Sequence, residues 1–410
     1  MLKKFMTTAL AVMLGAVMIT GCGNSGDSAP AESTEASSEA AADGNADAPA
    51  ENGDAAAPSG DTIRIGAIGP LSGDVSQYGV AAINGAKMYI DEINAAGGIM
   101  GKQVELLVED EEGQADKAVT AYNKLVNDDK VVALIGDVTS KPSIAVAQIA
   151  AQTGFPIISP TGTAPDITMT GPSVFRACFL DSFQGQKLAE YALQKLNAKT
   201  AAILYNSADD YSDGLREAFS AKAKELGLEI VAEEAYSETD VDYKAQLTNI
   251  SSKNPDILFL PDYYSTVALI AAQVKEIGMT STLLGADGWD GVLNATNDAA
   301  NLEGAYYINH YSAQDPNEVV QNFLKTYKET YQMDANSFSA LGYDAAKILC
   351  GAIEAAQSTE PEAIVKAMQE SSTAGVTAGQ ITFDENGNPI KEASILQIVN
   401  GEYTLVEKIS

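Results

Sequence analysis

The chain has little of what catalytic sites usually depend on. Its 410 residues include one histidine and one tryptophan. With His310 as the sole histidine, and without a Gly-x-Ser-x-Gly motif, an amidase or a related hydrolase fits the sequence poorly. The glycine-rich phosphate loop and the dinucleotide-binding glycine fingerprint are also missing. We therefore expect no catalytic residues, no cofactor and no metal site.

Cysteine is too scarce to build a disulfide framework. Beyond Cys22, the thiols are Cys178 and Cys350, which allow at most one disulfide. Two separate buried thiols are the favoured interpretation. Neither cysteine follows a helix-start pattern that would lower the pKa of a thiol, which argues against a cysteine nucleophile.

Basic residues are outnumbered more than two to one. The chain has 25 Lys and Arg against 56 Asp and Glu, which gives a net charge of -31. Nucleic acid requires a basic surface, so it is excluded as a partner. The charge does not constrain a small ligand that is desolvated inside a cleft.

Long apolar runs are confined to the N-terminus. Lys3 and Lys4 precede an apolar run from Ala9 to Ile19 that is too short for a finished membrane helix. This order predicts a secretory signal over residues 1–22. Its ending, Ile19-Thr20-Gly21-Cys22, resembles the lipobox of bacterial lipoproteins, which implies acylation of Cys22 and an extracytoplasmic protein anchored to the cell membrane. The alternatives are an ordinary signal peptide with a chance cysteine and a retained N-terminal helix.

Residues 23–60 contain no basic and no aromatic residue. Alanine, serine, glycine, proline and acidic residues dominate, so the segment cannot bury enough apolar area to offset its ordering entropy. We predict a disordered acidic linker. Its like charges repel one another and an anionic membrane surface, which keeps the linker extended.

The remaining chain, from Asp61 to Ser410, is longer than one hydrophobic core usually serves, so two lobes are expected. Short β-rich runs alternate with segments of helical periodicity, which predicts an α/β fold with parallel sheets covered on both faces. The predicted strands are 63–68, 104–108, 131–135, 157–158, 201–204, 257–260 and 282–284.

The C-terminal part predicts a hairpin. Residues 381–383 and 394–399 are apolar runs, and Asn386-Gly387 lies between them as a turn signal. The acids of this turn do not follow the spacing of a calcium loop, because the glycine is misplaced and the last glutamate is missing.

Polar and aromatic residues follow the predicted strands at the edge where open parallel sheets bind ligands. Ser140 and Thr163 offer hydroxyls and helix-start N–H groups that suit a carboxylate, and Ser140 is placed to cap a helix that begins near Pro142. Asp287 could neutralise an ammonium group. Aromatic rings could enclose an apolar side chain while their polar ends form hydrogen bonds, namely those of Tyr78, Tyr211, Tyr263 and Trp289. Together these groups predict a site for a zwitterion.

Three segments resemble the leucine/isoleucine/valine-binding branch of type I periplasmic binding proteins: 65–73 (IGAIGPLSG), 91–99 (DEINAAGGI) and 159–165 (SPTGTAP). The likeness extends over essentially all of 61–410. It implies two Rossmann-like lobes joined by a three-segment hinge, with crossovers near Asp181, His310 and Glu392. The N-terminal lobe would comprise 61–181 and 310–392, and the C-terminal lobe 182–309 and 393–410.

The resemblance also assigns roles to individual residues. Ser140, Thr161 and Thr163 would contact the α-carboxylate and amine of an amino acid, and Asp287 would pair with its ammonium. Tyr211 and Tyr263 would close from the second lobe, while Tyr78 and Val138 would line the side-chain pocket. The family often has Glu at the position of Asp287, one methylene longer, so the contact of Asp287 with the amine could run through water. Small polar residues are common at the position of Lys141, whose ammonium either points to solvent or favours an acidic side chain on the ligand.

The favoured function is a monomeric lipoprotein that captures an amino acid, aliphatic and most simply branched, and delivers it to the permease subunits of an ATP-binding-cassette transporter. A sensor that docks on a receptor kinase has the same sequence features. Amides, urea and aromatic acids are alternative ligands, although Asp287 disfavours any ligand without an amine.

Overall fold

The computed structural model describes residues 62–410. The predicted signal sequence, Cys22 and the acidic linker therefore lie outside the described residues. In the part of the chain that is described, no helix has both the length and the apolar character needed to cross a membrane.

Five parallel strands form the first sheet. They are β1 (Ile63–Gly69), β2 (Val104–Asp110), β3 (Ala133–Ile135), β4 (Ile157–Ser159) and β5 (Val174–Arg176). Their order is β2-β1-β3-β4-β5. All three residues of β3, the central strand, are buried, as expected of a strand covered on both faces.

Seven strands form the second sheet. They are β6 (Thr200–Asn206), β7 (Glu229–Tyr236), β8 (Ile257–Leu260), β9 (Thr282–Gly285), β10 (Tyr306–Asn309), β11 (Ala393–Val399) and β12 (Glu402–Ile409). The order is β12-β11-β10-β9-β8-β6-β7. The strands from β10 to β7 are parallel, and β11 and β12 extend the sheet as an antiparallel pair.

Helices cover both sheets. They are α1 (Ser76–Ala95), α2 (Ala115–Asn127), α3 (Ser140–Thr153), α4 (Asp181–Gln194), α5 (Asp210–Leu226), α6 (Lys244–Ser251), α7 (Tyr264–Glu276), α8 (Val292–Ala295), α9 (Glu318–Tyr331), α10 (Ser337–Ala356) and α11 (Pro361–Gln369). We call the first sheet with α1, α2, α3, α10 and α11 the first lobe, and the second sheet with α4 to α7 the second lobe. The predicted fold class, α/β with two mostly parallel sheets, is confirmed.

The chain passes between the sheets three times. It leaves the first sheet after Arg176 and enters α4 at Asp181. It leaves the second sheet after Asn309 and returns to it at Ala393. Lys391, in the last connecting segment, donates from Nζ to the Ala177 carbonyl oxygen of the first at 3.3 Å, and it lines one cavity together with His310 of the second.

The predicted hairpin between 381–383 and 394–399 is wrong. Residues 381 and 383 form isolated bridges with Thr373 and Pro389. The Asp384 carboxylate accepts hydrogen bonds from the backbone N–H groups of Asn386 and Asn388, which closes a local loop. The following strand, β11, then pairs in the other sheet.

The hairpin actually present joins β11 to β12. Its turn is Asn400-Gly401, and both residues have positive φ, 53° and 75°. This is the geometry that the Asn-Gly pair favours, because right-handed strand twist requires left-handed turn residues. Asn-Gly also occurs at 386–387, inside the predicted hairpin, but only the pair at 400–401 lies between two strands that pair with each other.

Two glycines allow α1 and α10 to pack closely in the first lobe. A Cβ atom on Gly85 would lie 1.9 Å from the carbonyl oxygen of Ser339, and one on Gly342 would lie 2.0 Å from that of Ala82. These neighbours are backbone atoms that cannot rotate away. The helix spacing, and with it the position of the start of α1 near the cleft, depends on these glycines.

We predict that Gly342→Ala destabilises the protein by about 1–3 kcal/mol, because the two helices must separate to admit a methyl group. Gly351→Ala in the same helix is the matched control. Gly351 is exposed and has no atom within 4 Å of its added Cβ, so this change should stabilise by about 0.5–1 kcal/mol. Urea unfolding of both variants measures the difference, and equal effects would contradict the packing argument.

Candidate functional site

The ends of strands from both sheets enclose a small cavity of about 10 Å³. It is lined by Val138, Thr139, Ser140, Thr161, Thr163, Tyr211, Tyr263, Asp287, Gly288 and Phe338. Seven of the nine predicted ligand-binding residues are among them. The space is about that of one water molecule, so any larger ligand requires the walls to move apart.

The wall from the first lobe consists of hydroxyl groups held by backbone contacts. Thr161 Oγ1 donates to the carbonyl oxygen of Val138 at 2.6 Å. Ser140 Oγ accepts from the Ala164 N–H at 3.3 Å. The hydroxyls therefore join the loop after β4 to the loop after β3, and all of these residues are buried.

The predicted capping role of Ser140 is wrong. The residue before α3 is Thr139, whose side chain makes no capping hydrogen bond, and Ser140 is the first helical residue. Its hydroxyl reaches across to Ala164 instead. Thr139 and Ser140, at the start of this 14-residue helix, line the cavity, and the unpaired N–H groups of a helix start favour an anion.

The wall from the second lobe is organised around the Asp287 carboxylate. Oδ1 accepts from Gln184 Nε2 and from the Tyr211 hydroxyl, each at 2.9 Å, and Oδ2 lies 3.0 Å from His310 Nε2. Burial lowers the pKa of His310 to about 4, although the hydrogen bond to Asp287 opposes the shift. The imidazole is therefore neutral at pH 7 and donates its Nε2–H to the carboxylate.

Aromatic rings form the remaining wall. Tyr211 stacks on Tyr263 with centroids 4.9 Å apart and an interplanar angle of 9°. Tyr78 stacks on Phe338 with centroids 4.0 Å apart. Tyr78 lies behind Phe338 and does not line the cavity; its hydroxyl donates to the Gly288 carbonyl oxygen of the second lobe and accepts from the Tyr264 N–H at 3.1 Å. Tyr78 thus connects the two lobes.

Trp289 is a core residue. It is fully buried, its indole N–H donates to the Leu260 carbonyl oxygen at 2.9 Å, and its ring packs against Gly285. It follows Asp287 by two residues, yet the short 3-10 turn of 287–289 directs it into the second lobe. Trp289 is therefore two residues from a cavity-lining residue in the chain and yet does not line the cavity.

Lys141 also points away from the cavity. Its ammonium donates to the Ala208 carbonyl oxygen at 3.3 Å and lies 4.0 Å from the Glu238 carboxylate, with the side chain 44% exposed. Because it is paired at the surface, it does not place a positive charge where a ligand side chain would lie.

Sequence reasoning missed Gln184, His310 and Phe338. His310 is the only histidine, which argues against an enzyme and marks a crossover, but nothing in the sequence places its imidazole against Asp287. Gln184 lies in the first turn of α4 and meets Asp287 across 103 residues of sequence. Neither the apolar periodicity nor a sequence motif indicates that Gln184 and Asp287 are in contact.

The two cysteines among the described residues, Cys178 and Cys350, are buried and unpaired, as expected. Burial raises the pKa of each thiol to about 12. Cys178 donates to the Gly162 carbonyl oxygen at 3.1 Å, so it supports the loop that carries Thr161 and Thr163. Among the described residues, no group of three His, Cys, Asp or Glu side chains is placed to hold a metal ion.

Residues 62–402 match the sequence profile of the Periplasmic binding protein family, which covers most of the chain. The chain belongs to this family. It is therefore a solute-binding protein and not an enzyme, as the scarcity of catalytic residues predicted.

Relatives of this binding protein support the assignment. The Leu/Ile/Val-binding protein BraC3 of Rhizobium johnstonii is 33% identical over 331 residues, which are 80% of this chain and 88% of the relative. A leucine-binding protein of Thermotoga maritima has a solved structure with 32% identity and a TM-score of 0.80, covering 85% of this chain and 99% of that one. The branched-chain amino acid transporter substrate-binding protein LivJ of Streptococcus pneumoniae has a solved structure in complex with isoleucine. It is 32% identical with a TM-score of 0.79, and the match covers 84% of this chain and 99% of that one.

The neutral His310 is directly measurable, because a single histidine gives a single imidazole signal in an untagged protein. We predict that its NMR resonance does not titrate between pH 5 and 8 and has a midpoint near 4. Since the folded pKa lies below the value of about 6.5 of an unfolded chain, stability should fall as the pH drops from 6.5 towards 4.

Asp287→Asn should lower the His310 midpoint further, because the hydrogen bond to the carboxylate is what raises it. Protein unfolded in urea is the control and should titrate at about 6.5. A native midpoint at 6 or above would show that the imidazole is not buried against Asp287.

Proposed function

We propose that this protein is an extracytoplasmic lipoprotein that captures an aliphatic amino acid, most simply a branched-chain one, and passes it to an ATP-binding-cassette transporter. The observation that carries the proposal is the pairing of hydroxyl groups on one wall with the Asp287 carboxylate on the other. Hydroxyls and helix N–H groups suit a carboxylate, and a carboxylate suits an ammonium. The names and ligands of the relatives support the same class of ligand.

The ligand's two charged ends would be held by different lobes. Ser140 and Thr163 in the first lobe would bind the α-carboxylate, with Thr161 beside them. Asp287 in the second lobe would pair with the ammonium, while Val138, Phe338 and the Tyr211–Tyr263 stack enclose the apolar side chain. A zwitterion satisfies both walls only when the lobes approach, which couples binding to closure.

The hinge would be the three connecting segments near Asp181, His310 and Glu392. In this proposal the N-terminal lobe comprises 61–181 and 310–392, and the C-terminal lobe 182–309 and 393–410. The cavity of about 10 Å³ supports a hinge, because an amino acid can enter only if the lobes separate. Tyr78, which contacts Gly288 across the cleft, would release that contact on opening.

The ligand class is tested with the protein from Asp61 onward. An aliphatic L-amino acid such as leucine should raise the unfolding free energy by about 2.7 kcal/mol at a hundredfold excess over Kd. Thermal unfolding and calorimetry with all twenty amino acids, amides, urea and benzoate measure this. If none of the amino acids binds, the proposed ligand class is wrong.

Variants can separate the two ends of the ligand. Asp287→Asn should cost leucine about 2–5 kcal/mol of binding free energy, because a desolvated ammonium loses its counter-charge. Ser140→Ala should cost about 1.5–3 kcal/mol. The keto acid of leucine is the matched control, since it lacks the ammonium: Asp287→Asn should spare its binding, and Ser140→Ala should weaken it. The opposite pattern would reverse the assigned orientation.

The lipid anchor at Cys22 is a separate part of the proposal. In cells, Cys22→Ser should leave the protein unprocessed by lipoprotein signal peptidase or should release it from the membrane fraction. The affinity for leucine should not change, since the anchor precedes the linker and contributes no cleft residue. Membrane fractionation with Cys178→Ser as the thiol control tests this, and a wild-type distribution for Cys22→Ser would exclude acylation.

A further inference from the structure

A second buried carboxylate lies beside Asp287. Asp181 is the first residue of α4 and is 1% exposed. The side-chain amide of Gln184 reaches both acids, with Nε2 at 2.9 Å from Asp287 Oδ1 and 3.3 Å from Asp181 Oδ1. The other oxygen of Asp181, Oδ2, has no hydrogen-bond partner within residues 62–410. Two acids that share one amide are close enough to repel each other.

Within residues 62–410, no Lys or Arg side chain forms an ion pair with Asp181. Arg176 is the nearest one that acts on it, but its guanidinium donates to the carbonyl oxygens of Gly162 and Ala164 and to Thr168 Oγ1. Burial and then the charge of Asp287 raise the pKa of Asp181 well above its usual range. The Thr163 hydroxyl and Arg176 offset this in part, and Asp209 adds to it.

Asp181 also lines a second cavity, outside the one that Asp287 lines. It lines an outer cavity of about 680 Å³ between the two lobes. Acidic side chains predominate in that cavity, which is lined by Asp166, Asp181, Asp209, Asp210, Asp213, Glu217 and Glu225, together with Lys222. The Asp181 N–H donates to the carbonyl oxygen of Thr163, a residue of the inner cavity, at 3.0 Å. Asp181 therefore lies between the outer cavity, which it lines, and Thr163 of the inner cavity.

The hydrogen-bonding capacity of Asp287 is largely taken. Gln184, Tyr211 and His310 all direct donors at it, and none carries a charge at neutral pH. An ammonium has three donors to satisfy. A single aspartate with three existing partners is poorly suited to accept more than one of them, whereas Asp181 Oδ2 is buried and unused.

We propose that Asp181 is a second counter-charge for the ligand ammonium, so that a pair of carboxylates holds the amine and ligand capture expels a proton. This inference rests on the proposed function. In the ligand-free site the proton of the Asp181 carboxyl group moderates the repulsion with Asp287. When the ammonium enters, the O–H bond breaks, the proton leaves to water, and an N–H of the ammonium donates to the carboxylate formed.

The sign of the pH dependence follows. The ammonium favours ionised Asp181, so its pKa is lower in the complex than in the free protein. Between these two values the affinity should rise with pH, up to about tenfold per unit, and outside that window it should be level. The groups that act on Asp181 are Asp287, Asp209, Arg176 and Thr163, of which Asp209 also has a pKa raised by burial, to about 6.

Calorimetry of leucine binding in phosphate and in Tris at one pH measures the proton, because the two buffers differ in ionisation enthalpy. Wild-type protein should release up to one proton per leucine in the window where affinity rises. Asp181→Asn should bind leucine at least tenfold more weakly and release none. Asp166→Asn, the same substitution at an exposed residue of the same outer cavity, should match the wild type.

A stability measurement separates this role from a structural one. Asn cannot ionise, so ligand-free Asp181→Asn should melt at or above the wild-type temperature at neutral pH, while leucine should raise its melting temperature by less. If the variant does not fold, the wild-type protein still tests the proposal. Binding of leucine should release a proton, whereas binding of the keto acid of leucine should release none.

Three outcomes are distinguishable. Wild-type protein that binds no amino acid overturns the proposed function and this inference with it. Leucine binding without proton release at any pH from 5 to 8 overturns the inference alone. So does an Asp181→Asn variant with wild-type affinity and wild-type proton release.

Discussion

The cleft depends on one constraint, the burial of the Asp287 carboxylate where the two lobes meet. Its three donors come from α4, α5 and the segment after β10, so the acid joins two helices to a connecting segment. A buried charge without donors would cost several kcal/mol, and these neutral donors reduce that cost without cancelling the charge. The site therefore keeps a net attraction for a cation.

The same logic explains why the surrounding groups are neutral. His310 is held uncharged by burial, and the phenol of Tyr211 stays protonated because burial, and next the charge of Asp287, raise its pKa. A protonated histidine or a lysine at either place would satisfy Asp287 internally and compete with a ligand amine. The buried carboxylate without a counter-charge lowers the stability of the folded protein, and the binding of a ligand cation recovers that free energy.

Much of the fold could be predicted, because parallel strands that are buried on both faces appear in the sequence as continuous apolar runs. Several strand-end loops were located in the same way, and with them the hydroxyls of Ser140, Thr161 and Thr163. The hairpin at 381–399 failed for a physical reason: Asn386-Gly387 and Asn400-Gly401 carry the same local turn signal, and strand pairing over long distances decides between them. The prediction that Trp289 lines the ligand pocket was also wrong, because neighbouring residues in a 3-10 turn point in different directions.

By itself, the sequence determined the α/β class, the acidic character of the chain and the positions of the strand-end loops, because apolar periodicity and charge are local properties. It also contained the family motifs. Only the tertiary structure decided that Gln184 bridges Asp181 and Asp287, that Tyr78 joins the lobes and that His310 is neutral. These contacts join residues far apart in the chain, and burial, which the sequence does not specify residue by residue, sets their charge.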